Sequence, residues 1–324
     1  MLFSQTKTLE LKGIAILMML YLHLFNTEYK TSLCDWNFQI LPDISFLRML
    51  TRLTNPVPFF IMLSGYGLFY KFTNGNRNYD LKKILKLLIN YWVILLLFVG
   101  LGSYFNPEVY PGTFTTFALN FFTVSSSYNG EWWFLFPYIV LALLAPIIFR
   151  CIEVSLKRVF FVSFILSLNR FFIDVCIDSV CLELLKKVLS LQFPFICGAV
   201  LYKLCIHDKS RRIIVIPLFV MICCIRLVTD IGSSLGNLLY AFLFIVIYVN
   251  VKVPVFLSRL LILLGSYSTS MWLVHSFFIF YLFGPVIYQL RNPLVIFVVL
   301  VGISLMVSFL LNTILNKLYI KLKL

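Results

Sequence analysis

Charged residues are scarce in this chain, and it has no long polar stretch from which a soluble domain would be built. Only 12% of its 324 residues are charged, whereas 61% are hydrophobic. Apolar runs long enough to cross a bilayer recur along the chain, and this composition excludes an ordinary soluble protein. The sequence therefore predicts an all-α fold, a polytopic transmembrane helical bundle, with residues 1–324 forming a single integral-membrane domain.

The apolar runs divide the chain into about ten predicted membrane spans. These spans are 10–27, 56–73, 84–104, 132–150, 159–177, 188–206, 213–229, 235–251, 262–288 and 294–315. The loops between them are short and leave no room for a second, soluble domain. Irregular backbone at membrane depth is tolerated only inside the protein or around a cavity. An active site therefore has to be built from helix ends, loops and the interior of the bundle.

The positive charges orient this predicted bundle. If the N terminus is cytoplasmic, most of the 27 lysines and arginines fall on the cytoplasmic side and most of the 13 acidic residues fall outside. This asymmetry predicts cytoplasmic N and C termini for a multi-pass protein in the inner or plasma membrane of a bacterium, surrounded by membrane lipid. The net charge of +14 is then a matter of topology, so we expect no nucleic-acid partner.

Metal-binding patterns are missing as well. None of the eight cysteines has zinc-finger spacing, and most lie in or near apolar spans, where cysteine behaves as a small hydrophobic residue. We therefore predict no metal site. Cys176 and Cys181 fall in one predicted outer loop, where a disulfide and two free thiols both remain open.

The chain has only three histidines, and two of them lie inside predicted spans. His23 and His275 are within apolar runs, whereas His207 is in a charged stretch. An ionisable side chain at membrane depth costs a few kcal/mol, so it usually faces a cavity and serves a function there. His23 lies about 16 Å beyond Lys12 along a helix, past the middle of the hydrocarbon. Two interpretations remain open for His23: a catalytic base, or a buried histidine hydrogen-bonded to a neighbouring helix.

Four stretches follow one another along the chain in a recognisable order. They are Lys12-Gly13-Ile14-Ala15 through His23, Pro56-Val57-Pro58-Phe59-Phe60 with Ser64-Gly65-Tyr66, Gly130-Glu131-Trp132-Trp133-Phe134-Leu135, and Leu264-Gly265-Ser266-Tyr267-Ser268 through His275. The glycines of the second stretch do not form a phosphate-binding loop, because no strand precedes them. Together the four stretches, spread over nearly the whole chain, resemble the acyltransferase 3 family of integral-membrane O-acyltransferases.

The resemblance implies a reaction and its substrates. Members of this family transfer an acyl group, usually acetyl from acetyl-CoA, to a hydroxyl of a carbohydrate or of a lipid-linked glycan. It also implies that His23, which matches the histidine of the family's first helix, is catalytic. A neutral imidazole there can take the proton of the attacking hydroxyl or accept the acyl group itself.

Other residues are candidates for substrate binding. Arg48 and Arg52, one helical turn apart, could stabilise negative charge or hold an anionic glycan, or could simply extend to the membrane surface. Glu131 with Trp132 and Trp133 could bind a sugar, and the tryptophans could equally belong to an aromatic belt. His275 either lines the same cavity as His23 or has a structural hydrogen-bonding role. All six come from the sequence alone.

Lysines near the start of the third predicted span are candidates for binding acetyl-CoA as co-substrate. Many family members have arginines after the second helix, whereas this chain has Lys82, Lys83 and Lys86. Lysine attracts a phosphate as a point charge but does not form the paired hydrogen bonds that arginine forms. The alternative is that these lysines only follow the excess of positive charge on the cytoplasmic side.

Two other functions remain open from the sequence. Some proteins that resemble this family are polysaccharide export factors, and a transporter would use the same histidine and arginines to bind a glycan without making a product. A membrane scaffold in a glycan-assembly complex would tolerate changes at His23, Arg48 and Arg52.

Overall fold

The computed structural model describes most of the chain, and the described part is nearly all-α. The described residues are 4–36, 38–41, 44–75, 77, 81–168, 179–203, 212–229 and 234–324. Two residues and part of one predicted span considered above lie outside these ranges. His207, Cys176 and part of the predicted span 159–177 are not among the described residues.

The described helices follow one another with short connections. They are α1 (Gln5–Phe25), α2 (Glu28–Ser32), α3 (Phe46–Thr51), α4 (Pro56–Thr73), α5 (Leu81–Phe105), α6 (Phe114–Phe121), a 3-10 helix (Gly130–Phe134), α7 (Leu135–Ser167), α8 (Val180–Lys203), α9 (Arg212–Val228), α10 (Ser234–Val249), α11 (Val255–Ser276), a π-helix (Phe277–Tyr281), α12 (Gly284–Tyr288) and α13 (Pro293–Lys321). A short antiparallel pair joins β1 (Gln39–Leu41) and β2 (Ile44–Ser45).

Within the described residues, six helical segments are long and apolar enough to cross a membrane. They are Gln5–Phe25, Leu81–Phe105, Gly130–Ser167, Val180–Lys203, Val255–Tyr281 and Pro293–Lys321. Helix α4 coincides with the predicted span 56–73, and shorter apolar helices cover Val215–Val228 and Leu235–Val249. The all-α architecture with membrane-crossing helices is confirmed, while the number of about ten spans stays a prediction.

Two predicted spans are joined in one element. Residues 132–150 and 159–177 were predicted as separate spans, but α7 continues through the polar residues between them. The backbone of Ser155 is non-helical, with φ −157° and ψ 99°, so α7 is two helices that meet at a kink. The predicted break therefore corresponds to a bend in a helix and not to a loop.

Local sequence explains where several helices begin. Pro56 and Pro293 each stand in the first turn of a long helix, where the missing amide hydrogen of proline has no helical partner to lose. Asn292 caps α13 by accepting hydrogen bonds from the backbone amides of Leu294 and Val295. Pro56 therefore marks the start of α4, and Pro293 with the Asn292 cap marks the start of α13; both helices border the cavity described below.

Helices α1 and α11 pack against each other with direct backbone contact. A Cβ added at Gly13 would overlap the carbonyl oxygen of Leu261, and one added at Gly265 would overlap that of Leu9. Small residues of this kind let two helices approach closely inside a membrane. The glycine pair therefore sets the distance between α1, which carries His23, and α11, which carries His275.

We expect Gly265→Ala to destabilise the protein by about 1–3 kcal/mol, because the new methyl group has no room against α1. The measurement is the thermal unfolding temperature of the purified protein in detergent. The matched control is Gly302→Ala in α13, where an added Cβ meets nothing within 4 Å. Equal unfolding temperatures for the two variants would contradict the close approach of α1 and α11.

The helices enclose an apolar core and present apolar faces outwards. Fully buried aromatic side chains include Tyr91, Phe195 and Phe277, whereas Leu97 and Phe309 are exposed on the outer faces of α5 and α13. Outward-facing leucine and phenylalanine are expected where lipid is the solvent. Polar groups are thus left to the interior, where they surround a cavity.

Candidate functional site

A cavity of about 600 Å³ lies among α1, α4, α5, α7, α11 and α13. At the end of α1, its walls include His23, and the 3-10 helix contributes Glu131. Lysines contribute to the lining from the first half of α1, the end of α4 and the start of α5, namely Lys12, Lys71, Lys83 and Lys86. Because Lys12 and His23 both line it, the cavity runs along α1 for about 16 Å.

His23 and Glu131 form a pair at this cavity. Nε2 of His23 lies 3.0 Å from Oε2 of Glu131, and His23 is 9% exposed. Because a carboxylate only accepts hydrogen bonds, Nε2 carries the hydrogen and Nδ1 keeps a lone pair. This Nδ1 is buried and has no hydrogen-bond partner within the described residues. An imidazole oriented by a carboxylate, with a free lone pair, has the arrangement of a general base.

The backbone around Glu131 is held in place by its neighbours. The side chain of Asn129 accepts a hydrogen bond from the Glu131 amide at 3.0 Å, which caps the 3-10 helix. The indole nitrogen of Trp272 donates to the Glu131 carbonyl at 3.1 Å, and that of Trp132 donates to the Leu273 carbonyl at 3.0 Å. The 3-10 helix is therefore attached to α11 by hydrogen bonds in both directions.

His275 lies next to His23 but is not part of the cavity lining. The two ring centroids are 5.2 Å apart, and His275 is fully buried. Its Nδ1 lies 2.8 Å from the carbonyl oxygen of Trp272, so Nδ1 carries the hydrogen. Its Nε2 has no partner among the described residues. His275 is thus held by a hydrogen bond to the backbone and packs against the His23 ring, with the two ring planes tilted by 45°.

Lys30 brings a positive charge to the same place, and the sequence did not single it out. Its Nζ donates to the carbonyl oxygen of His23 at 3.0 Å and to Oδ1 of Asn26 at 2.7 Å, and it lies over the ring of Phe280. Burial lowers the pKa of Lys30 to about 8, and the negative charge of Glu131 opposes that shift. At neutral pH the ammonium group therefore keeps its charge. It binds the C-terminal end of α1 through the carbonyl oxygen of His23.

Comparison with known proteins decides the family. A family model described as an acyltransferase domain matches residues 10–313, nearly the whole chain. The chain belongs to the acyltransferase 3 family. This membership identifies a membrane acyltransferase. Searches among curated proteins and among solved structures found no match.

The predicted arginines of this acyltransferase lie away from the cavity. Arg48 forms an ion pair with Glu28, with 3.1 Å between Nη1 and Oε1, and both side chains are partly exposed. Arg52 donates from Nη1 to the carbonyl oxygen of Leu227 at 2.8 Å. Neither arginine is among the described residues that line the cavity. Their predicted role in substrate binding therefore depends on a glycan that extends out of the cavity.

The two predicted tryptophans of the acyltransferase separate. Trp133 lines the cavity, whereas Trp132 is buried and packs edge-on against Tyr91.

Of the three lysines predicted to bind the donor, only two line the cavity. Lys83 and Lys86 line the cavity, but Lys82 donates at 3.2 Å to the carbonyl oxygen of Lys323 on the exposed side.

Some cavity residues of the acyltransferase were missed by reasoning from sequence. Lys12 and Lys71 line the cavity beside Lys83 and Lys86. Asn90 and Asn312 also line it, each a neutral polar residue inside an apolar span. The available signal was a polar side chain at membrane depth, which is a mark of function even when it is uncharged.

Proposed function

We propose that this acyltransferase moves an acetyl group from acetyl-CoA to a hydroxyl of a surface polysaccharide or of its lipid-linked precursor. The observation that supports it most is the pairing of His23 with Glu131 on the wall of a cavity that lysines also line. Lysines attract the phosphates of CoA, and the pair of His23 and Glu131 lies where an acceptor hydroxyl can be activated. One cavity therefore offers sites for both the donor and the acceptor.

The chemistry follows from the protonation of His23. The acceptor hydroxyl gives its proton to the Nδ1 lone pair while its oxygen attacks the thioester carbonyl. A C–O bond forms, the C–S bond breaks, and the imidazolium returns the proton to the leaving thiolate. Glu131, at 3.0 Å from Nε2, stabilises the imidazolium between the two proton transfers. No metal is required for any of these steps.

The orientation of the reaction is part of the proposal. Lys12, Lys71, Lys83 and Lys86 line the donor entrance, and the excess of positive charge at the same helix ends favours the cytoplasmic side. With both termini cytoplasmic, acetyl-CoA enters from the cytoplasm and the glycan approaches the outer end of α1. The setting is a bacterial inner or plasma membrane.

The test measures acyl esters on the surface glycan. Mass spectrometry compares the glycan of cells that make the protein with the glycan of cells that lack it, and purified protein in liposomes is supplied with acetyl-CoA labelled in its acetyl group. We expect a discrete acetyl mass on the glycan and transfer of the label. An unchanged acyl pattern with less polymer outside the cell would contradict acyl transfer and support glycan export.

A further inference from the structure

Three polar side chains from three helices form a row on the cavity wall. Nδ2 of Asn90, on α5, donates to Oγ of Ser270, on α11, at 3.0 Å. Oγ of Ser270 donates in turn to Oδ1 of Asn312, on α13, at 2.8 Å. All three residues line the cavity. On α5, Asn90 follows Lys83 and Lys86 by seven and four residues, so the three share one helix face.

One atom of this row has no partner. Oδ1 of Asn90 is buried and accepts no hydrogen bond from the described residues, although Asn90 is only 8% exposed. Leaving a buried amide oxygen unpaired costs about 1–3 kcal/mol. If both asparagine amides were turned over, Ser270 would stay bonded and the amide nitrogen of Asn90 would be the unpaired atom. In either orientation, one buried hydrogen-bonding atom of Asn90 is left without a partner among the described residues, in a side chain that lines the cavity.

The position of Asn90 indicates the chemistry of the hydrogen-bond partner that its unpaired atom requires. It stands one turn of α5 deeper than Lys86, and His23 lies further along the same cavity. A CoA thioester whose phosphates sit at the lysines must pass its arm through this section to bring its sulfur to His23. That arm contains two secondary amides, each with an N–H and a C=O. A secondary amide can therefore pair with the free atom of Asn90 in both orientations of its side chain.

We propose that Asn90, held in place by Ser270 and Asn312, binds an amide of the pantetheine arm of the acyl donor. This assignment rests on the proposed use of acetyl-CoA. Its role is to fix the depth of the donor. An arm that is bonded at Asn90 places the thioester at a set distance from His23, whereas phosphates that are held only by flexible lysines would leave the thioester free to slide along the cavity.

The test is a comparison of two ligands on two proteins. The affinities of CoA and of 3′,5′-ADP, which has two of the three phosphates of CoA and no pantetheine arm, are measured by calorimetry for the wild type and for Asn90→Leu. We expect Asn90→Leu to weaken CoA about tenfold and to leave 3′,5′-ADP unchanged. Equal CoA affinity in the two proteins would mean that water satisfies Asn90 and would overturn the proposal, as would an equal loss for both ligands.

Two further measurements keep the result clear. Ser270→Ala removes the hydroxyl that accepts from Asn90 and donates to Asn312, and we expect a smaller loss that is again selective for CoA. This second variant serves if Asn90→Leu does not fold. Transfer of labelled acetyl by the wild type is measured in parallel. Wild-type protein that neither binds CoA nor transfers acetyl would disprove the acetyl-CoA function itself, whereas transfer with unchanged CoA affinity in both variants would disprove only the role of Asn90.

Discussion

We expect His23→Ala to lower acyl transfer about 10³-fold or more, the largest effect of any single change in this chain. The variant removes the lone pair that takes the hydroxyl proton and also leaves the Glu131 carboxylate without its partner at 3.0 Å. The measurement is the acyl-ester content of the surface glycan, by mass spectrometry, in cells with equal amounts of wild-type and variant protein in the membrane.

Two control variants show whether the loss of acyl transfer in His23→Ala comes from loss of the base. His207→Ala changes a histidine in a charged stretch of sequence and should transfer acyl groups at the wild-type rate. His23→Gln can still hydrogen-bond to Glu131 but has no basic nitrogen, so an enzyme should remain inactive with it. A His23→Gln protein that still exports polymer, with the acyl pattern unchanged in all variants, would refute catalysis and support transport.

We expect Glu131→Gln to lower kcat about 10²- to 10⁴-fold with little change in KM for acetyl-CoA. The amide has nearly the shape of the carboxylate, but it cannot stabilise an imidazolium. Its NH₂ group can also face His23 and turn the imidazole to the wrong tautomer. The measurement is the rate of transfer from labelled acetyl-CoA by purified protein in liposomes, over a range of donor concentrations.

The matched control for Glu131→Gln is Glu28→Gln. Glu28 also accepts from a cationic side chain, Arg48, but this ion pair is partly exposed and lies outside the described lining of the cavity. Exposed pairs contribute about 0–1 kcal/mol, so the control should keep the wild-type kcat. A Glu131→Gln protein with unchanged kcat would show that His23 acts without its carboxylate.

Hydropathy predicted the helices well because a segment that crosses lipid has to be apolar along most of its length. Helix α4 begins and ends at the predicted residues 56 and 73, and Pro56 marks its start. Between residues 150 and 159, the predicted break between two spans is confirmed as a kink at Ser155, but it is not a loop. The charged segment after Arg150 stays helical in α7, since charge alone does not end a helix, and only Ser155 leaves the helical conformation.

The candidate site was predicted in part. His23 was predicted as an ionisable group inside an apolar run, and Glu131 was predicted as a sugar-binding carboxylate beside two tryptophans. Their contact was not predicted, since hydropathy says nothing about which helices meet. Lys30 and Asn90 were missed for a related reason. Lys30 lies in α2, outside the predicted spans, and the role of Asn90 depends on Ser270 and on a cavity that forms only when five other helices are in place.

The glycine contact between α1 and α11 has a consequence for turnover. With backbone against backbone at Gly13 and Gly265, these two helices cannot slide or rotate past each other without a collision. The 3-10 helix is bonded to α11, so His23, Glu131 and His275 move as one rigid body. In the proposed reaction, the exchange of spent CoA for a new donor is therefore expected to involve the other helices that line the cavity, α4, α5, α7 and α13. The slow step of the cycle is then expected to follow changes in those helices and not changes around the base.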